Sequence, residues 1–332
     1  MGRRTAVFAT TLLTGLLAGG CGGGPAATPQ AHPSVASPAP TAPRGSAAPG
    51  SPAPTGASGT ARPAPAGQLQ LPRGGRTIFP HYRLVGFAGR PGSTALGRLG
   101  VGRLDDRARE IERVARPYAG GRTVLPVLEL IATVVQGNPG PDRMYRTRSS
   151  DALIARHLAA ARKVKGILLL NIQPGRSDFL TEVKAYATWL EQPDVGVALD
   201  PEWSMGPGEV PMKVFGHTTG AQIDAVARYL STVVKRGDLP EKVLVFHQLA
   251  PSVVRGENAI RGHPGVVVVK SVDGIGSRAM KQETYVKLTR RLPSAVHAGF
   301  KLFYDEDSRV GRLMTPAQVL GLRPQPEYVL YE

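Results

Sequence analysis

Val195-Gly196-Val197-Ala198-Leu199-Asp200-Pro201-Glu202-Trp203 carries the period of a β-strand, in which successive side chains face opposite ways. Val197 and Leu199 share one face, and Gly196, Ala198, Asp200 and Glu202 share the other. Bulk on one side and small residues on the other fit a strand whose outer face meets helices and whose inner face lines a barrel. Two carboxylates then follow at its carboxyl end. Seven further apolar runs surround this one: Arg83–Gly89, Thr123–Thr133, Gly166–Gln173, Lys242–Gln248, Gly265–Asp273, Gly299–Asp305 and Glu327–Tyr331. Between them lie amphipathic stretches at Asp105–Tyr118, Asp151–Val164, Ser177–Glu191, Ala221–Arg236, Lys281–Arg291 and Thr315–Gly321, with Leu249–Pro264 long enough for only a turn of helix. Ser150-Asp151, Thr219 and Thr315-Pro316 supply cap or first-turn residues at helix starts.

Strands alternating with helices indicate a parallel sheet. Eight of them in the 265 residues from Gln68 to Glu332 predict an α/β fold, a (β/α)8 TIM barrel. The competing arrangement is an open doubly wound sheet. It lacks its Gly-x-Gly-x-x-Gly after the first strand and the acid that should follow.

Active sites of such barrels lie at the carboxyl ends of the strands. The polar residues there are Glu129, Asn171, Gln173, Asp200, Glu202, His247, Gln248, Asp273 and the run Tyr304-Asp305-Glu306-Asp307. Glu129 interrupts the apolar run Leu125–Ile131, so it needs a buried partner or a function. Asp200 and Glu202 share the inward face. Like charges so placed do not both ionise freely, which keeps one carboxyl protonated as a general acid near neutral pH. Lys270, after four valines, is expected to pair with one of these acids, and Trp203 offers an aromatic face for a sugar ring. The chain contains neither His-x-His, His-Glu-x-x-His nor Gly-x-Ser-x-Gly, so no cofactor is expected. A divalent cation on the oxygens of Glu129, Asp200 and Asp273 stays open as an alternative.

Glu202 after the fourth strand with Asp305 after the seventh resembles the carboxylate pair of retaining glycoside hydrolases of barrel fold. That resemblance implies Glu202 as acid/base and Asp305 as nucleophile, and Asp200 joins the catalytic set as the charge that perturbs Glu202. The pattern departs from those enzymes at Pro201, where they carry asparagine, and at Asp305, where they carry glutamate. Asp200-Pro201-Glu202 is also similar to the end of the chitinase-type motif, though Ala198 replaces its earlier aspartate. The whole domain, through Leu128–Thr133, Leu199–Trp203 and Phe303–Asp307, resembles an uncharacterised group of lipid-anchored proteins of high-GC Gram-positive bacteria.

The amino-terminal segment fits that resemblance. Arg3 and Arg4 precede an apolar stretch from Ala6 to Ala18, then Gly19, Gly20 and Cys21, the order of an export signal with a small-residue cleavage site. The stretch is shorter than the roughly 20 residues that span a bilayer core. Residues 1–20 resemble a bacterial lipoprotein signal peptide, which implies lipidation of Cys21, the single cysteine of the 332 residues. Residues 22–67 hold 11 prolines and no acidic residue, too little apolar surface to offset ordering, and read as a disordered tether.

The 68–332 domain keeps +12 of the chain's +16 formal charge, which favours anionic surroundings such as phospholipid headgroups or acidic wall polymers. Nucleic acid is disfavoured by the export signal and the lack of any recognition motif. The expectation is therefore a lipoprotein on the outer face of the cytoplasmic membrane, partnered by that membrane through Cys21. Its barrel would cleave a cell-envelope glycan, bind one without cleaving it, or hydrolyse with a metal on the same acids.

Overall fold

A computed structural model describes residues 67–332. The signal sequence, Cys21 and all of the tether except Gly67 lie outside the described residues. Eight parallel strands form the barrel: β1 (Tyr82–Gly89), β2 (Thr123–Val135), β3 (Ile167–Ile172), β4 (Val195–Leu199), β5 (Lys242–Gln248), β6 (Val266–Val272), β7 (Val296–Leu302) and β8 (Tyr328–Tyr331). Each pairs with its neighbours in sequence, and β1 pairs with both β8 and β2, which closes the sheet on itself. Leu84 stands opposite Tyr328 on one side and Leu125 on the other. The (β/α)8 barrel expected from the alternation is the observed architecture, and the open doubly wound sheet is excluded by closure.

Helices α1 (Leu104–Ala115), α2 (Asp151–Lys163), α3 (Phe179–Lys184), α4 (Ala187–Leu190), α5 (Gly220–Gly237), α6 (Arg278–Thr289), α7 (Glu306–Val310) and α8 (Pro316–Leu320) connect the strands. Their starts follow the expected chemistry. Ser150 caps α2, and Thr219 with Gln222 and Thr315 with Gln318 close capping boxes on α5 and α8. The expected helix Ser177–Glu191 is two short ones. Between β5 and β6 there is no α-helix, only turns at Pro251–Val253 and Glu257–Ala259. A short strand, Arg146–Arg148, extends β2 antiparallel, and both its arginines ion-pair with the buried Glu182 of α3.

Two apolar cores follow from the period of two. Outward residues such as Phe87, Leu128, Val197, Leu199 and Phe246 pack under the helices, while Leu84, Leu125, Leu169, Ala198, Val245 and Val269 fill the interior. The interior is apolar toward the foot, the amino ends of the strands, where Leu71 and Ile78 of the entering chain seal it. Toward the mouth, at the carboxyl ends, the inward seats turn polar strand by strand: Leu125-Val127-Glu129, Leu169-Asn171, Val245-His247, Val269-Ser271.

Candidate active site

Pro201 shapes the approach to Glu202. It has no N–H to donate to a neighbouring strand, so β4 stops at Leu199 rather than running to Glu202, and Pro201–Trp203 form a 3-10 turn. The turn replaces strand alternation as the device that buries Glu202, which is 8% exposed. Gly216 N–H donates to the Glu202 carbonyl at 2.7 Å, tying the long loop after β4 back to this turn.

Glu129 lies at the centre of the upper barrel, fully buried. Its Oε1 accepts from Asn171 Nδ2 and His247 Nε2, both at 2.9 Å, and its Oε2 accepts from the Tyr328 hydroxyl at 2.6 Å. Asn171 Nδ2 also donates to Asp200 Oδ1 at 3.0 Å, and Gln173 Nε2 to Asp200 Oδ2 at 3.0 Å. Across the mouth, His247 Nδ1 stands 3.5 Å from Asp273 Oδ2. Lys301 Nζ lies 3.1 Å from that same oxygen and 2.6 Å from Glu332 Oε2. Residues distant in sequence thus form one continuous polar array: Gln173, Asp200, Asn171, Glu129, His247, Asp273, Lys301 and Glu332.

Charge within this array is divided unequally. Burial, reinforced by the charges of Asp200 and Asp273, pushes the Glu202 carboxyl well above its ordinary range. Burial would also raise Asp273, but the Lys301 ammonium outweighs it, with help from His247 and the Gly274 N–H, and holds that carboxylate ionised. Burial likewise opposes ionisation of Glu129 and His247. Each is nonetheless held charged chiefly by the other, Glu129 below its ordinary range and His247 well above it. The result is one carboxyl, Glu202, pushed up by its environment beside another, Asp273, that is pushed down, the arrangement in which environment separates acid from base.

Four buried polar atoms here make no hydrogen bond within the protein: Asn171 Oδ1 on β3, Glu202 Oε2 on the turn after β4, His247 Nδ1 on β5, which has only its 3.5 Å approach to Asp273, and Ser271 Oγ on β6.

No family model and no curated protein matches the chain.

Several expected site residues stand elsewhere. Asp305 is exposed, because the chain has already left β7 and opens α7 there. Among the described residues its carboxylate joins neither an ion pair nor the array, whereas Asp273 stands within the array beside Lys301 and His247. Tyr304 faces outward, stacked on Tyr331 with centroids 4.9 Å apart and under the Arg98 guanidinium. Gln248 also faces outward and donates to Glu257 Oε1 at 2.9 Å. Lys270 is buried and ion-paired as expected, but with Glu257 of the irregular β5–β6 connection rather than with a strand-end acid. Trp203 sits half-buried at the rim, edge-on to the exposed Phe215 at 5.9 Å.

Lys301, Tyr328 and Glu332 were not among the expected site residues. A lysine between Gly299 and Phe303 in an apolar strand is the signal that marks Lys301. Tyr328 and Glu332 carry no such mark. Among the described residues no three of histidine, cysteine, aspartate and glutamate converge as ligands for a metal ion. Glu129, the deepest oxygen donor of the metal reading, already accepts three hydrogen bonds.

Proposed function

We propose that the chain is a lipid-anchored extracytoplasmic protein whose barrel hydrolyses a cell-envelope glycan, with Glu202 as general acid and Asp273 as the ionised carboxylate that works with it. The observation that supports this reading is the geometry at the mouth, where Lys301 Nζ lies 3.1 Å and His247 Nδ1 3.5 Å from Asp273 Oδ2, while Glu202 is buried with its Oε2 free of any protein hydrogen bond. Glycosidic cleavage needs one carboxyl that keeps its proton to give to the leaving oxygen and one that is charged, as nucleophile or as base toward water. Burial, then the charges of Asp200 and Asp273, raises Glu202, and the Lys301 and His247 cations lower Asp273. Asn171 and Gln173 orient Asp200 through both its oxygens. Trp203 and Phe215 offer aromatic faces at the rim against which a pyranose can pack.

One observation favours a second reading, a barrel that binds glycan without cleaving it. Asp200, Glu202 and Asp273 are each 8% exposed or less. Carboxyl groups covered to this degree are poorly placed to reach a glycosidic oxygen, while the rim aromatics Trp203 and Phe215 remain open to a sugar.

A panel of envelope glycans, assayed for both retention and reducing-end release, separates the readings. The hydrolase releases short products. Glu202→Gln should then lower turnover by roughly 10²–10⁴-fold, the usual worth of general acid catalysis, while glycan affinity stays within a few-fold. Asp273→Asn should be comparably impaired and Asp305→Asn close to wild type. Retention without release in the wild-type protein supports the binding barrel, and neither retention nor release across the panel removes both readings.

A further inference from the structure

We propose that Lys281 and Asp307 form a buried clamp that positions the Asp273 carboxylate at the mouth. The catalytic consequence of the clamp rests on the hydrolase reading, but the clamp itself does not.

Asp307 closes the acidic run that follows β7, and the three acids of that run have different surroundings. Asp305 is exposed, Glu306 is partly covered, and Asp307, the second residue of α7, is 2% exposed. Its Oδ1 accepts from the Gly276 N–H at 3.0 Å. Its Oδ2 accepts from the Phe303 N–H at 3.0 Å and stands 2.9 Å from Lys281 Nζ. Lys281 lies in the first turn of α6 and is also buried. Its Nζ donates to the Gly274 carbonyl at 2.7 Å, and the Gly274 N–H donates to Asp273 Oδ1 at 2.7 Å. A chain of polar contacts thus runs from the start of α7, through the start of α6, to Asp273.

Taking two charges out of water is expensive, and apolar residues of similar volume would pack this space as well or better. What the charged pair adds is a hold on backbone. Gly274-Ile275-Gly276 is the turn that leads away from Asp273, and it is pinned at both ends: its first carbonyl by Lys281 and its last N–H by Asp307. Gly274 has φ +111°, and beyond its chain neighbours no atom lies within 4 Å of where its Cβ would stand. Packing does not fix the turn at that point, so the hydrogen bonds must.

Phe303 sets the spacing of the two lysines, since Lys281 Nζ and Lys301 Nζ each lie 5.1 Å from its ring centroid. Lys301 holds Asp273 Oδ2 while Gly274 holds Oδ1, so both oxygens of the carboxylate are directed. Burial lowers the Lys281 ammonium below its ordinary range, and Asp307 is the chief charge that opposes this, followed by Asp273. The clamp and Asp273 are therefore coupled through charge as well as through the turn.

The test removes both charges together, Lys281→Met with Asp307→Asn, so that net charge is unchanged and no buried ion is left alone. It uses the full chain carrying Cys21→Ser, isotope-labelled at its aspartate carboxyl carbons, with the Asp273 resonance identified by its loss in Asp273→Asn. His247, Lys301, Glu202 and Glu332, the other groups whose charge is coupled to Asp273, stay in place. Released from the clamp, the Gly274 N–H should no longer hold Asp273. The resonance should then titrate at higher pH than in the wild type, because a hydrogen bond to the charged form is lost. On the hydrolase reading, kcat should fall by as much as ~10²-fold, the cost of a small misplacement, with KM within about threefold. Lys281→Gln with Asp307→Asn repeats the comparison with polar groups kept in the pocket, and serves where the methionine variant does not fold. The glutamine amide is one atom too short to span Asp307 and Gly274. An Asp273 titration equal to wild type in a variant whose melt alone is lowered would make the pair ordinary packing and overturn the proposal. A wild-type protein without turnover removes the hydrolase reading, and the Asp273 resonance alone then decides the clamp.

Discussion

Glu129 shows what one buried charge does inside a closed barrel. Its three hydrogen-bond donors, His247 among them, tie it into the upper layer. Removing one member of such a buried pair costs about 3–5 kcal/mol, because the partner's charge stays behind uncompensated. The pair also sets a pH window. Glu129 is held below its ordinary value of 4.5, so its contribution is complete above that pH and is lost as pH falls through its folded value. His247 is held above its ordinary value of 6.5, so its contribution is complete below that pH and is lost as pH rises through its folded value. Both act fully between about pH 4.5 and 6.5, where the wild-type domain should be most stable. Glu129→Gln should lose about 3–5 kcal/mol inside that window, and progressively less as pH falls below it toward the folded value of Glu129 or rises above it toward that of His247. Thermal unfolding from about pH 3 to 9 measures this, and a pH-independent loss would show that the charge pair is not the cause.

At the scale of elements, the inward face is as instructive for its small residues as for its polar ones. A Cβ on Gly86 of β1 would stand 2.1 Å from the Val127 carbonyl oxygen of β2, the strand pair through which the barrel closes. The obstacle is backbone, which has no rotamer to yield. Gly86→Ala should cost about 3 kcal/mol or more, or roughly 6–12 °C in Tm. Gly208, in the loop after β4, has φ +80° and open space within 4 Å of where a Cβ would stand. There Gly208→Ala meets only the left-handed backbone penalty, about 1–2 kcal/mol. A scan in which Gly208→Ala proves the more damaging would contradict this account of closure. The missing helix between β5 and β6 has a local consequence too. Lys270, outward on β6, lies under turns instead of a helix and is satisfied by Glu257 and the Leu288 carbonyl.

The whole molecule is polarised. Its polar array and Glu202 lie at the mouth, while its entering chain crosses the foot. On the lipoprotein reading, Cys21→Ser should move the exported protein from the membrane fraction to the medium, since the two or more acyl chains of such an anchor supply most of its hold. Any residual electrostatic association of the basic domain should disappear in a high-salt wash, because about 1 M salt shortens the screening length to about 3 Å. Cys21→Ser protein that stays membrane-bound after that wash would remove the support for lipid anchorage.

How far each of these features was legible in the amino-acid order follows from the range of the forces involved. Alternation and helix caps are local, so the sequence by itself determined the eight strands, the barrel class and the place of Glu129, Asn171, His247 and Asp273 toward the carboxyl ends of their strands. Adjacent Asp200 and Glu202 already implied a perturbed carboxyl. Which carboxylate would stand charged beside Glu202 was decided only by tertiary structure. Lys301 lies 28 residues from Asp273 and reaches it because β6 and β7 pair in register. Asp305, equally acidic, sits beyond the end of β7, where alternation no longer dictates direction and the turn into α7 carries it into solvent. Charges act through space over a few ångströms, and the register of strands far apart in sequence sets those distances.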